Sequence, residues 1–584
     1  MAPNEIPRSR HLLWLLTGVS AALTALILAP ILRGGYLLYR DAVSTPRSFV
    51  TDTILGLGGV AARAVPQDWV VAMTSRAVDG GAVVTAITFL ALTSAGVGYG
   101  RMAAVLVPAA GRTGAVAAAV IAIWNPYVAE RLLQGHWSLL VSYATIGWLI
   151  LAARTVVRGQ SGTRWAPLAA TACLAGFTPT GSVLAVVVVA VVVGAPLLRD
   201  RRPVDLLITC TVMVLGALPW LTATAFGSGS TTTGPDGFEV FGLRAEPGLG
   251  TIGTVLGLGG IWNADAVPAS RTIWWAAAAT VALLVVVVAG ALRLWRDRAT
   301  SDPAVGRLAL LAAVVTILLV VSAVGPVASA LADVSGVIPG VGLLRDTQKY
   351  SALLVPFFSL ATAAAVAGLR RWVPAGFALA TAVLLIAAPL PDLAWGVGGK
   401  IRPITYPDDW AAVTRIIPPD DGDVAVWPVG TVRRYAFTDT VSLDPLPRMV
   451  RAPVTDSGEL IVDDLVVDRA SGRGAEVDHV LTTGGSPGAL AELGVGWVVV
   501  EDGNPPRDLA RDAAVAYRGD DLTLYRIPGT VADRGASAAA RATVIGAHVA
   551  WAAAALLSLV VAAMTRLRRR APTEPTRRDH QSPN

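Results

Sequence analysis

Apolar runs long enough to cross a bilayer recur along the whole chain, near residues 12–32, 81–100, 113–125, 137–157, 164–178, 180–198, 204–226, 272–296, 304–331, 349–369, 373–391 and 542–565. A span needs about 20 mostly apolar residues, so the pattern predicts an α-helical polytopic membrane protein of about 12 transmembrane helices. Polar interruptions sort by parity. Arg101 and Arg112, then "RTVVRGQSGTR" (154–164), "RDRRP" (199–203), "RLWRDR" (293–298), "LRRW" (369–372) and "RLRRR" (566–570) follow every second span. Positive loops stay cytoplasmic, which predicts both termini inside and the multi-pass chain in the cell membrane. The first run follows a basic flank with no small-residue cleavage site after it, so it is expected to remain as an uncleaved helix.

One region breaks the pattern. Residues 395–541 are rich in Pro, Asp and Gly, with alternating strands at 423–429, 496–502 and 522–528 and helical stretches at 408–417 and 486–494. About 145 residues can bury a core of their own, so a small extracytoplasmic α/β domain is expected before the last helix. The predicted organisation is a transmembrane bundle over 1–394 with external loops 33–80 and 227–271, this domain over 395–541, a final span at 542–565, and a basic, disordered cytoplasmic tail at 566–584.

Composition agrees with the pattern: 54% of residues are hydrophobic and only 15% charged, against about 25% charged in soluble domains. The net charge of +6 conceals a split, because residues 395–541 carry 15 basic and 22 acidic residues and the remainder is strongly basic. Two compartments explain the split, and no nucleic-acid partner is called for. Cys173 and Cys210 lie in apolar runs and read as free core thiols.

Candidate chemistry gathers on the external side. "WNPYVAERLLQGHWSLL" (124–140) reads as a short amphipathic helix at the membrane surface, capped by Asn125, begun by Pro126 and stopped by Gly135. Tyr127, Glu130, Arg131 and Gln134 share one stripe, with His136 and the interfacial Trp137 after it. The stripe is either a solvated helix hairpin or one wall of an external cavity. Asp41, flanked by Tyr36, Tyr39, Arg40 and Arg47, is either a helix cap or a general base; Asp52 and Asp68 are weaker candidates. "LLRDTQKYSALL" (343–354) brings Arg345, Asp346, Gln348 and Lys349 to the outer end of a span, where Arg345 and Lys349 suit a phosphate. "TILGLGGV" (53–60) and "TVLGLGGI" (254–261) read as close-packed loops rather than P-loops, and the second precedes Trp262, Asn263 and Asp265. The five histidines are scattered without metal-ligand spacing. No cofactor is assigned, and a Mg or Mn ion held by carboxylate oxygens stays open.

The Asp after the first span, the NPY-x-x-ERLL-x-G-x-W segment and R-D-x-Q-K before a late helix resemble a family of actinobacterial multi-span membrane proteins, themselves similar to the GT-C glycosyltransferases. The resemblance implies a polyprenyl-phosphate sugar donor, an envelope glycan or lipid acceptor at the outer face of the bilayer, and Asp41 at the catalytic acidic position. Arg345 and Lys349 would hold the lipid phosphate, and Glu130, Arg131, Gln134, His136, Trp262 and Asn263 would bind sugar or acceptor. Many GT-C enzymes pair two acidic residues in the first external loop; here Tyr39 and Val43 flank Asp41 at that spacing. The rival class is a non-catalytic lipid or glycan transporter, or an envelope-assembly scaffold.

Overall fold

The computed structural model describes residues 10–568 apart from 160–161, 228, 230–235, 339 and 463–464; most of the expected cytoplasmic tail lies outside the described residues. Among them, ten helices are long and apolar enough to cross a membrane: Arg10–Leu28, Gly80–Leu106, Pro108–Gln134, Trp137–Val157, Pro179–Arg199, Pro203–Phe226, Trp275–Arg296, Pro303–Ser322, Thr347–Leu369 and Ala538–Thr565. The chain is a mostly helical polytopic membrane protein.

Two of the twelve expected spans fall short. Trp165–Ala175 has 11 residues, about 16 Å of helix against a ~30 Å hydrocarbon core. Ala375–Ala387 meets Pro391–Gly399 at a 77° bend. Pro389 and Pro391 lie at that break, and proline cannot continue the helical ladder.

Small residues let the central helices touch backbone to backbone. A Cβ at Gly147 would lie 2.8 Å from the Gly98 carbonyl carbon, and one at Gly290 would lie 1.7 Å from the Ala361 carbonyl oxygen. Lipid tails are as apolar as leucine, so this close packing rather than a hydrophobic force joins the helices. Cys173 is buried as expected, but Cys210 faces outward from its span.

Residues 395–541 contain a four-stranded sheet in the order Asp423–Trp427, Val495–Val500, Thr523–Arg526, Ala514–Arg518, its first pair parallel and the others antiparallel. Strand alternation divides its side chains between two layers. Val424, Val426, Trp497, Val499 and Leu524 pack with Trp410, Val413 and Leu446 on one face. Ala425, Val498, Val500 and Tyr525 pack with Val477, Leu481 and Leu490 on the other. Leu38 and Val43, from the loop after the first span, complete the first layer. The core of the 395–541 block therefore draws on a segment from the loop after the first span, far earlier in the chain, and it holds that segment in place.

Packing makes a testable distinction between glycines. Gly290→Ala should lower the thermal unfolding midpoint of the detergent-solubilised protein, with a cost of about 1–3 kcal/mol from overpacking. Gly306→Ala, on a helix surface with no atom within 4 Å of the new Cβ, should leave the midpoint unchanged or raise it.

Candidate active site

Asp41 sits at the turn of a two-residue hairpin, Leu38–Tyr39 paired with Ala42–Val43. Arg40, the first turn residue, has φ +44°, the sign a primed hairpin turn needs at that position. Such a conformation costs about 1–3 kcal/mol in a residue with a side chain, and contacts on both sides hold it. The Arg40 backbone bonds Val441 and Leu443 of the 395–541 block at 2.6 and 2.8 Å. Its guanidinium donates to the carbonyls of Leu133 (2.7 Å) and Asp265 (2.8 Å). The Asp41 amide donates to the Gln134 carbonyl at 3.1 Å.

Beneath the hairpin lies the helix Pro126–Gln134, with its expected boundaries. Asn125 accepts from the Val128 amide at 3.0 Å, and Gly135 stops the helix in the left-handed region at φ +88°. Only glycine fits there, since a Cβ would lie 2.2 Å from the Ala42 amide nitrogen. The expected surface placement is overturned: all nine residues are buried. So is Trp137, which packs edge-on against Phe177 instead of anchoring in an interface. The polar stripe faces other protein groups.

Those groups form one connected network. Arg131 Nη1 donates to Asp346 Oδ2 (2.9 Å) and to His136 Nδ1 (3.0 Å), and its Nη2 reaches Gln348 Oε1. Gln348 passes a hydrogen bond to Glu130 Oε2 at 2.8 Å. The Glu130 carboxylate also accepts from the Gly260 and Ile261 amides at 3.1 and 3.2 Å, which gives the second glycine-rich run its role. On the other side, Asp41 Oδ2 lies 2.7 Å from His136 Nε2 and accepts from Gln134 Nε2 at 3.2 Å. Asn263 donates to Gln134 Oε1 at 2.9 Å, and Lys349 pairs with Asp346 at 3.4 Å.

Hydrogen-bond polarity fixes the imidazole. A guanidinium only donates, so His136 Nδ1 accepts, and the single ring proton sits on Nε2 and points at Asp41. Burial, then the neighbouring Arg131 and Lys349 charges, hold the imidazole neutral, against the pull of Asp41, with a pKa below the ordinary histidine value. Burial alone would raise the Asp41 carboxyl, but the bonds from His136 and Gln134 and the charge of Lys349 hold it below the usual carboxylate range. Asp346 behaves likewise: burial opposes its charge, and Arg131 and Lys349 overcome it.

Exposure separates the framework from the groups that can meet a ligand. The side chains of Asp41, Lys349 and His136 keep 38%, 23% and 17% of their surface, whereas Arg131 keeps none. Glu130 is fully enclosed and Gln134 nearly so. Both hydrogen bonds to the Asp41 carboxylate fall on Oδ2, leaving Oδ1 without one among the described residues. A carboxylate with a free oxygen can accept a proton, and an ammonium within its electrostatic reach can hold an anion.

The remaining expected residues stand apart from Asp41. Arg345 turns toward the 395–541 block, where it binds Asp468 at 2.5 Å beside Arg63. Its guanidinium lies 4.3 Å from the Phe241 ring, which meets Trp262 edge-on at 4.5 Å. The expected Arg345–Lys349 pair is thus divided between two networks. Asp52 is held by Arg541 of the last helix at 2.6 Å and Asp68 by Arg448 of the 395–541 block at 2.9 Å, so both tie their loop to later parts of the chain. Sequence inspection noticed Asp346 and Gln348 without assigning them to the site, and it missed the buried Glu246–Arg271 pair that fixes loop 244–271. No three metal-ligating side chains converge among the described residues, and the cations around Asp41 do not suit a divalent ion.

No family model matches the sequence, and no curated protein matches it. Solved structures do, among them arabinofuranosyltransferase AftD from Mycobacteria, with TM-score 0.53 and 17% identity, and a single-substitution mutant of it, with TM-score 0.51 and 15% identity. The alignments cover 90% of this chain but only 40% and 42% of those proteins. At that identity the likeness is one of fold alone: this chain is built like about two fifths of that protein's length.

Proposed function

We propose that this chain is a GT-C-type glycosyltransferase that moves a sugar from a polyprenyl-phosphate donor to an envelope glycan or glycolipid at the outer face of the membrane. The observation that carries this reading is the Asp41 carboxylate, fixed on one oxygen by His136 and Gln134, open on the other, and placed beside Lys349. Polyprenyl-phosphate-linked arabinofuranose is the first donor to test, because the matching structures act on arabinofuranosyl groups by name.

The chemistry follows from those positions. An acceptor hydroxyl donates its hydrogen bond to Asp41 Oδ1, and its oxygen attacks the anomeric carbon of the donor. The new glycosidic bond forms as the bond from that carbon to the phosphate oxygen breaks. The proton passes to Asp41, and the bonding pair leaves with the polyprenyl phosphate, whose added negative charge meets Lys349. His136 and Gln134 aim the carboxylate, while Glu130 and Arg131 act as buried positioning residues rather than sugar ligands. Trp262 and Asn263 line the approach, with Asn263 held on Gln134. Arg345 fastens the external block and leaves the phosphate to Lys349.

Three outcomes are expected. Asp41→Asn should cut transfer to a radiolabelled acceptor by about 10²–10⁴-fold with no change in thermal midpoint; full activity would remove Asp41 from the mechanism. The rate–pH profile should be flat through neutrality and fall only below about 6.5, the ordinary histidine value. The sign follows from the depressed His136 pKa: protonation at Nδ1 comes only at lower pH, and it expels the Arg131 bond. A break above that value would contradict the neutral tautomer. Finally, Lys349→Gln should weaken transfer strongly, whereas Arg345→Gln should mainly lower the unfolding temperature; the opposite ranking would return the phosphate to Arg345.

A further inference from the structure

A hollow lies at the far end of the bundle from Asp41. Helix Trp137–Val157 begins beside His136 and ends at Arg158, so its 21 residues separate this hollow from Asp41 by about 30 Å. The hollow measures about 450 Å³, within the range of small-molecule sites. Four arginines line it: Arg154, Arg158, Arg199 and Arg307. Of its two carboxylates, Asp302 is already engaged by Arg154 at 2.7 Å and Arg158 at 3.5 Å and caps the helix Pro303–Ser322 through the Ala304 amide. Asp200 stands exposed at the rim. The balance in the hollow is two positive charges.

Membrane orientation explains why arginines are abundant at this end. It does not explain their convergence on a concave space floored by Val157, Val192 and Ala304. Nor does it explain Arg307, whose Nε is buried without a hydrogen-bond partner among the described residues. A buried donor left unpaired costs about 1–3 kcal/mol, and an acceptor oxygen entering the hollow would relieve it. The wall toward lipid is low. Ala190 and Ala195 are exposed, and Gly194 between them has no atom within 4 Å of a built Cβ. The helix widens to π geometry over Ala190–Gly194, a local form frequent at functional sites.

We propose that this hollow binds the phosphate headgroup of an anionic lipid, with arginine forks on the phosphate oxygens and the lipid tails leaving past Ala190 and Ala195. The proposal does not depend on glycosyl transfer, and its test reads lipid retention instead. Native mass spectrometry of the full-length protein, released from detergent, would compare dioleoyl phosphatidic acid with dioleoyl phosphatidylcholine, whose choline masks the phosphate charge. Phosphatidic acid should be retained at least tenfold more, and Arg199→Gln/Arg307→Gln should abolish the difference. Arg199→Gln alone changes an exposed side chain and should reduce it without affecting the fold. Inorganic phosphate should compete only weakly. Strong, Arg199-sensitive binding of inorganic phosphate with no lipid preference would overturn the lipid assignment in favour of a soluble anion. Equal retention of both lipids, or retention unaffected by the variants in folded protein, would overturn the site itself.

Discussion

The polar network around Asp41 depends on one buried guanidinium. Arg131 has no exposed surface, and it joins His136 of its own segment to Asp346 and Gln348, which lie together more than 200 residues later in the chain. Removing one partner of such a pair leaves an uncompensated charge, at a cost of about 3–5 kcal/mol. Around it everything else finds a place. Asp346 orients Lys349, His136 orients Asp41, and Gln348 carries the linkage to Glu130 and so to the amides of Gly260 and Ile261. Charged groups are expensive near membrane depth; here Arg131 and Lys349 share Asp346, and Glu130 is held by hydrogen bonds, which leaves a frame around a few partly exposed groups.

What the sequence made legible was local. The helix 126–134 was bounded correctly because an Asn cap, a first-turn Pro and a left-handed Gly are decided by neighbouring backbone. Three of the four strands in the 395–541 sheet are legible as short apolar runs, whereas the mostly exposed edge strand Ala514–Arg518 carries no such signal. The count of long spans was overstated where prolines bend a pair of helices and where a short helix does not need to reach across the bilayer.

What could not be read was the tertiary destination of polar groups. Helical periodicity puts Glu130, Arg131 and Gln134 on one stripe, and a polar stripe reads as facing water. The pattern cannot tell water from a buried partner 215 residues away. Arg345 and Lys349 parted for a related reason. A shared face at that spacing requires α-helical winding, but Thr347–Leu353 winds as a 3₁₀ helix, which stacks residues three apart and so joins Lys349 to Asp346. Arg345 was then free to turn toward Asp468. The hairpin that carries Asp41 was invisible as a structure because its strands are two residues each and depend on the external core for support.

The division between frame and exposed groups can be measured in one experiment. A double-mutant cycle on Arg131→Met and Asp346→Leu, followed by equilibrium unfolding in detergent, isolates the coupling on which the mouth of the bundle rests. Each single change should destabilise the protein by several kcal/mol, at about 3–5, and the double variant should recover much of that loss because the fully buried charge left by either single change is gone, while Lys349, which also loses Asp346, is partly exposed. If the two costs simply add, the residues are not partners and the frame described here does not exist.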